Sequence, residues 1–219
     1  FKQITVRMLL NHSAGLPGTD YANGVSTEPI PSYISGVMGG LRNSQLKTTP
    51  GAMNVYCNDC FTLAGVVVER VSGLTLQDYA AGAIFAPLKM RHSGYADSVP
   101  AQGTFAPVIQ DGKSQPFEVI NIHASGGLFS TARDLARLAM VFTEDGAVGD
   151  KRILSSSAVR QMSVDQTRTT LRAGSPSGFR YGLGWDTVKD PALESAGVRG
   201  WTKGGDVGQY HAGFVVAPD

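Results

Sequence analysis

Tyr56-Cys57-Asn58-Asp59-Cys60-Phe61-Thr62-Leu63-Ala64-Gly65-Val66-Val67-Val68-Glu69-Arg70-Val71-Ser72-Gly73 decides the fold, because it reads as a helix with reactive groups at its entrance. Phe61, Ala64, Val67, Val68 and Val71 recur at i, i+3, i+6, i+7 and i+10, the spacing of one helical face. Gly73 sits where a left-handed residue ends a helix, and Asn58 or Asp59 suits the cap at its start. A tyrosine held at a helix entrance has one orientation, and beside cations it suits a general base toward a serine hydroxyl. Asn58 offers an amide to a substrate carbonyl. The pattern Y-x-N recurs at Tyr21-Ala22-Asn23, in a turn-rich loop with no helix behind, and that copy is set aside as a decoy.

Outward from this helix, the front of the chain reads as helical and the back as strands. A short helix is expected from Thr5 to Leu10, then a turn-rich stretch from Pro17 to Pro50 with one helix near Tyr33 to Gly39. Thr75-Leu76-Gln77-Asp78 and Thr131-Ala132-Arg133-Asp134 read as capping boxes. Pro87 stops the helix that the first one opens, and Leu135, Leu138, Ala139 and Phe142 carry the apolar stripe behind the second. A further short helix covers Ser157 to Met162. Tyr181 to Trp185, Val198 to Lys203 and Tyr210 to Val216 then read as short strands with glycine-rich turns. Ala217-Pro218-Asp219 is a turn signal after the last strand, which leaves an apolar edge expecting another strand beyond it.

Composition narrows the class. The 219 residues are 42% apolar and 17% charged, enough to bury a real core. A formal net charge of +1 without a basic block or an acidic tail calls for no nucleic acid. No apolar run approaches the roughly 20 residues that cross a bilayer. Cys57 and Cys60 lack the second ligand pair that a zinc site needs, so no metal is expected. They read first as small packing residues, with a local disulfide or redox pair as the alternative.

Lys203-Gly204-Gly205 lies at the end of an expected strand. Glycines there let a substrate lie against the backbone, the lysine supplies a cation, and N–H groups near Gly205 and Asp206 suit an oxyanion. The plain alternative is a strand ending in a glycine turn. Within the chain, Ser44-Gln45-Leu46-Lys47 alone matches S-x-x-K, which makes Ser44 the one internal candidate nucleophile. It sits in a loop, and Pro50 disfavours helix at Thr49, so the shared helical face that would activate Ser44 is not expected. G-x-S-x-G is absent from the sequence. Ser125-Gly126-Gly127 reads as structural, His12 as a loop anchor, and His123 and His211 carry no motif.

Taken in order, the blocks resemble one superfamily. Ile4-Thr5-Val6-Arg7-Met8-Leu9-Leu10-Asn11-His12-Ser13-Ala14-Gly15-Leu16 resembles "ITIRHLLTHTSGL" of the β-lactamase and penicillin-binding-protein serine hydrolases. Pro50-Gly51 with Tyr56-Cys57-Asn58 resembles "PG…YSN", and Phe85-Ala86-Pro87-Leu88-Lys89-Met90 resembles "F-x-PLGM". The run from Ser125 to Arg137 is similar to "AGGLVSTARDLAR", Tyr181-Gly182-Leu183-Gly184-Trp185 to "YGLGW", and Lys203-Gly204-Gly205 falls where those proteins have K-T-G or H-x-G.

The resemblance implies a single α+β domain over 1–219, a helical lobe packed on an antiparallel sheet flanked by helices and incomplete in this chain. Residues 1–165 would be mainly lobe and loops, and 166–219 the sheet-forming part. It implies catalytic roles for Tyr56 and Lys203, and substrate binding by Asn58, Gly204, Gly205 and Asp206. It places the nucleophile in an S-x-x-K element before Phe1, so a complementary N-terminal segment is expected as a partner. Gly204 departs from the threonine of K-T-G and removes a hydroxyl. The implied activity is hydrolysis of an amide or ester in a small molecule or peptide through an acyl-enzyme, without a cofactor, in the periplasm or outside the cell. Lys203 favours substrates that carry a carboxylate, such as β-lactams or D-Ala-D-Ala peptides. An esterase and a non-catalytic binding homologue are the other readings.

Overall fold

A computed structural model describes residues 3–19, 22–96, 98, 101, 104–167, 171–172, 179–207 and 210–218. Helix α1 (Val6–Leu10) opens on Thr5, whose hydroxyl accepts from Met8 N–H. The loop behind it is laced to the segment ahead of the long helix. Val55 N–H donates to His12 C=O, Gly51 N–H to Ser13 C=O and Lys47 N–H to Gly15 C=O. Gly15 has φ +76°, and a Cβ there would stand 2.2 Å from the Thr48 carbonyl oxygen, so only glycine lets these strands of chain meet.

Helix α2 (Tyr33–Asn43) runs further than the 33–39 expected of it. Helix α3 (Asn58–Ser72) ends on Gly73 at φ +73°, as read, but two expectations are corrected. Its cap is Cys57, whose Sγ accepts from Cys60 N–H, in place of Asn58 or Asp59. The valine stripe does not form the buried face: Val71 is 83% exposed, while Thr62 and Gly65 are buried. A Cβ on Gly65 would come within 2.5 Å of the Ala124 Cβ. Close approach of small residues, rather than interlocking valines, seats α3 on α5 (His123–Gly126).

Helix α4 (Leu76–Ala80) is capped by Thr75 and passes into a π-helical turn, Ala81–Phe85, before Pro87. Phe85, Leu88 and Met90 pack there with Val141 of α6 (Ala132–Thr143). Thr131 caps α6 through Asp134 N–H, and the buried Asp134 carboxylate accepts from His92 N–H at 2.7 Å and pairs with Arg137 at 2.9 Å. Helices α7 (Ser156–Met162) and α8 (Pro191–Ser195) follow.

Most strands are two-residue pairs. β1 (Val25–Ser26) lies against β6 (Val119–Ile120), β3 (Gly94–Tyr95) against β7 (Leu128–Phe129), β4 (Ile109–Gln110) against β5 (Lys113–Ser114), and β8 (Ala147–Val148) against β9 (Lys151–Arg152). These pairs are antiparallel, whereas β2 (Met53–Asn54) and β10 (Leu171–Arg172) are parallel. The long element is the antiparallel hairpin of β11 (Trp201–Val207) and β12 (Tyr210–Val216), in register from Trp201↔Val216 to Val207↔Tyr210. Trp185, Trp201 and Val216 pack beneath it with Phe142 and Phe214.

Two strand expectations are corrected. Tyr181 to Trp185 is a buried turn: Gly182 N–H donates to Trp185 C=O, and Gly184 takes φ +84°. The stretch expected from Val198 to Lys203 begins at Trp201, because Val198 N–H closes α8 on Leu193 C=O. It then runs to Val207, so Lys203, Gly204, Gly205 and Asp206 lie within the strand rather than at its end.

Candidate active site

The entrance of α3 is the first wall. Tyr56 precedes the cap and is 42% exposed. Its ring stacks on His12 with centroids 4.7 Å apart, and His12 also meets Tyr181 at 4.6 Å and Phe61 at 5.1 Å. His12 is buried, with φ +60°, and its Nδ1 accepts from Cys57 N–H at 3.0 Å, which puts the ring proton on Nε2. Burial, and then the charge of Lys203, pull its pKa down to about 3, so the ring is neutral across the physiological range. The loop-anchor reading of His12 therefore holds, with a refinement: the same ring supports the face of Tyr56.

Cys57 and Cys60 form a disulfide, which corrects their reading as packing residues. Cap and third helical residue stand on one turn, with Cα atoms 5.3 Å apart, within the range that a disulfide spans. The crosslink lies between Tyr56 and Asn58 in sequence and ties both to the helix start. The Asn58 amide donates to Thr19 Oγ1 at 3.1 Å, and the buried Asp59 carboxylate accepts from Gly18 N–H at 2.9 Å.

Strand β11 supplies the second wall. Lys203 Nζ lies 5.7 Å from the centroid of the Tyr56 ring, a cation–π distance. It also donates to Asp186 Oδ2 at 3.2 Å and to Gly204 C=O at 2.5 Å. Gly204 N–H donates to the same Asp186 oxygen at 2.8 Å. Thr187 and Thr202 are bridged by backbone bonds, and Asp186 N–H donates to Thr202 C=O, so the acidic side chain is held beside the strand. The Tyr181 phenol is pushed up by burial, then by Asp186 and by Tyr56. Alternation sends the side chain of Asp206 to the face opposite that of Lys203. There it pairs with His211 at 2.6 Å in solvent.

The full chain, residues 1–219, matches the Beta-lactamase family model. This chain is a member of the β-lactamase family. At 23% identity over 204 residues it is similar to an Escherichia coli O157:H7 protein provisionally named D-alanyl-D-alanine carboxypeptidase, covering 81% of this chain and 45% of that one. A β-lactamase/D-alanine carboxypeptidase from Yersinia pestis superposes with TM-score 0.72 at 19% identity, over 100% of this chain and 62% of that one. A D-stereospecific amidohydrolase from Streptomyces superposes with TM-score 0.69 at 24% identity, over 100% and 65%. At these identities the superpositions establish the fold. The chain spans about half the length of the carboxypeptidase relative.

This member of the β-lactamase family brings together, from its expected site, Tyr56, Lys203 and Gly204, with Asn58 on the same helix entrance. The side chain of Asp206 is turned away. Ser44 caps the C-terminus of α2 with extended backbone, and its hydroxyl donates to Leu41 C=O, so it shares no helical face with Lys47. Ser125 lies in α5 within 3.4 Å of the Thr62 hydroxyl, a packing position. Tyr21, of the set-aside Y-x-N copy, lies outside the described residues. Asp186 was missed from sequence. Its one signal is its place directly after the Tyr181–Trp185 block, because nothing local announces a partner at position 203.

Proposed function

We propose that this chain carries the binding and proton-transfer half of a serine acyl hydrolase that cleaves an amide or ester bond. The observation that carries the reading is the lysine ammonium set over the ring of a tyrosine that is fixed at a capped helix entrance. In the proposed reaction a serine hydroxyl attacks the substrate carbonyl and forms an acyl-enzyme, which water then hydrolyses. By the resemblance, that hydroxyl belongs to an S-x-x-K element outside residues 1–219. Tyr56 relays the proton, Asn58 and Lys203 hold the substrate, and the Asp206 N–H, on the edge of β11 where Gly204 N–H meets Asp186, is the donor for the developing oxyanion. A small-molecule or peptide substrate ending in a carboxylate, of β-lactam or D-Ala-D-Ala type, fits the cation. The disulfide suits an oxidising compartment such as the periplasm.

Because Asp186 offsets the charge of Lys203, an uncharged ester is the second reading. Intact mass after incubation of the full-length protein with benzylpenicillin tests the first. A covalent adduct is expected, and Tyr56→Phe should slow its formation on the order of 100-fold or more. An adduct formed at the wild-type rate by that variant removes Tyr56 from proton transfer. Hydrolysis of p-nitrophenyl acetate without any penicillin adduct moves the assignment to the esterase.

A further inference from the structure

We infer that Asp186 is the positioning residue for Lys203: it fixes where the lysine aims, so that the cation reaches substrate from one direction. The inference rests on the hydrolase reading of the same site and extends it to a residue that carries none of its motifs.

A lysine ammonium has three donors on a flexible stem, and left to itself it samples many directions. Here two donors have partners: Asp186 Oδ2 at 3.2 Å and Gly204 C=O at 2.5 Å. The remaining donor then has a defined direction, and the Tyr56 ring 5.7 Å away bounds the space in which it lies. Asp186 is itself fixed. Its side chain is 10% exposed, the bridge between Thr187 and Thr202 holds its backbone, and Oδ2 also receives Gly204 N–H at 2.8 Å. One carboxylate oxygen thus sets both the lysine head and the backbone of the next residue. Asp186 Oδ2 lies 3.6 Å from where a Cβ on Gly204 would be. The carboxylate occupies the neighbourhood that a side chain at 204 would share. Asp186 Oδ1 is buried and has no hydrogen-bond partner among the described residues, which leaves the acid poorly compensated without the lysine.

Asp186→Asn separates charge from shape: an amide oxygen at the Oδ2 position still accepts Gly204 N–H, while the charge that holds the ammonium is gone and the NH2 group falls at the unpartnered Oδ1 position. In full-length protein, penicillin acylation by Asp186→Asn should fall 10- to 100-fold, roughly the value of a hydrogen bond to a charged group. In a double-mutant cycle the loss should vanish on a Lys203→Met background. Additive losses would overturn the proposal, because a merely structural aspartate acts whether or not the lysine is present.

The second readout needs no turnover. The Lys203 ammonium N–H resonance, slowed in exchange by its partners, should be visible in wild type and lost in Asp186→Asn. A resonance seen in both proteins or in neither overturns the proposal. If wild type forms no penicillin adduct and hydrolyses no p-nitrophenyl acetate, the hydrolase reading fails, and this resonance still decides the role of Asp186. Should Asp186→Asn not fold, Asp186→Glu keeps the charge on a longer stem and must shift the same resonance. An unshifted signal counts against the proposal.

Discussion

His12 shows how much a single side chain decides here. It accepts from the helix cap, stacks under Tyr56, and is held neutral with a pKa of about 3. In the unfolded chain the ring titrates near 6.5. Stability from this group is therefore complete above about pH 6.5. It is lost as pH falls from there toward 3, because the unfolded chain takes up a proton that the folded one refuses. Between pH 7 and pH 5 the loss amounts to about 2 kcal/mol. Urea unfolding at the two pH values should show it in wild type and not in His12→Asn, a residue that tolerates the same left-handed backbone. Parallel pH lines for the two proteins would mean that His12 is not buried neutral. The ring was legible in the sequence as an anchor, but its partner Cys57 lies 45 residues on, beyond any local pattern.

At the scale of elements, the caps were the most readable feature. Thr75 and Thr131 each bond an N–H three residues ahead, and Gly73 closes the helix before it, so each signal and its partner fit in one turn. The face that α3 buries was not readable. Periodicity marked Val67 and Val71, yet the contact with α5 is made by Gly65 and Ala124, residues too small to stand out in any apolar count. Gly65→Ala should cost about 1–3 kcal/mol, as overpacking does, measured as a lowered urea midpoint. Adding Ala124→Gly should restore most of it, since the two Cβ atoms compete for one space. Wild-type stability in the single variant would mean that α3 and α5 are not in close contact. Gly126 of α5 in turn sits against Val207 of β11, so this seam joins the middle of α3 to the strand that bears Lys203.

Across the whole molecule, the order of motifs was legible because each is a short run, and the assembly between them was not. Tyr56 and Lys203 were chosen separately and meet; Asp186, 17 residues before Lys203, needed the fold to be found. The disulfide escaped for a related reason: C-x-x-C spacing fits packing, redox and crosslink alike until the backbone between is known to be one helical turn. Its burial, 2% for Cys57 and 0% for Cys60, has a use beyond holding α3. A small thiol reductant cannot reach the sulfurs until the helix entrance opens, so the speed of reduction counts openings of the wall that carries Tyr56 and Asn58. A ligand lying against those residues would slow that count in proportion to how long it stays. Reduction by dithiothreitol, followed by mass with and without N-acetyl-D-alanyl-D-alanine, would then serve as an occupancy gauge that needs no catalysis. Reduction as fast as that of an exposed disulfide would show that the entrance stands open and cannot serve as one.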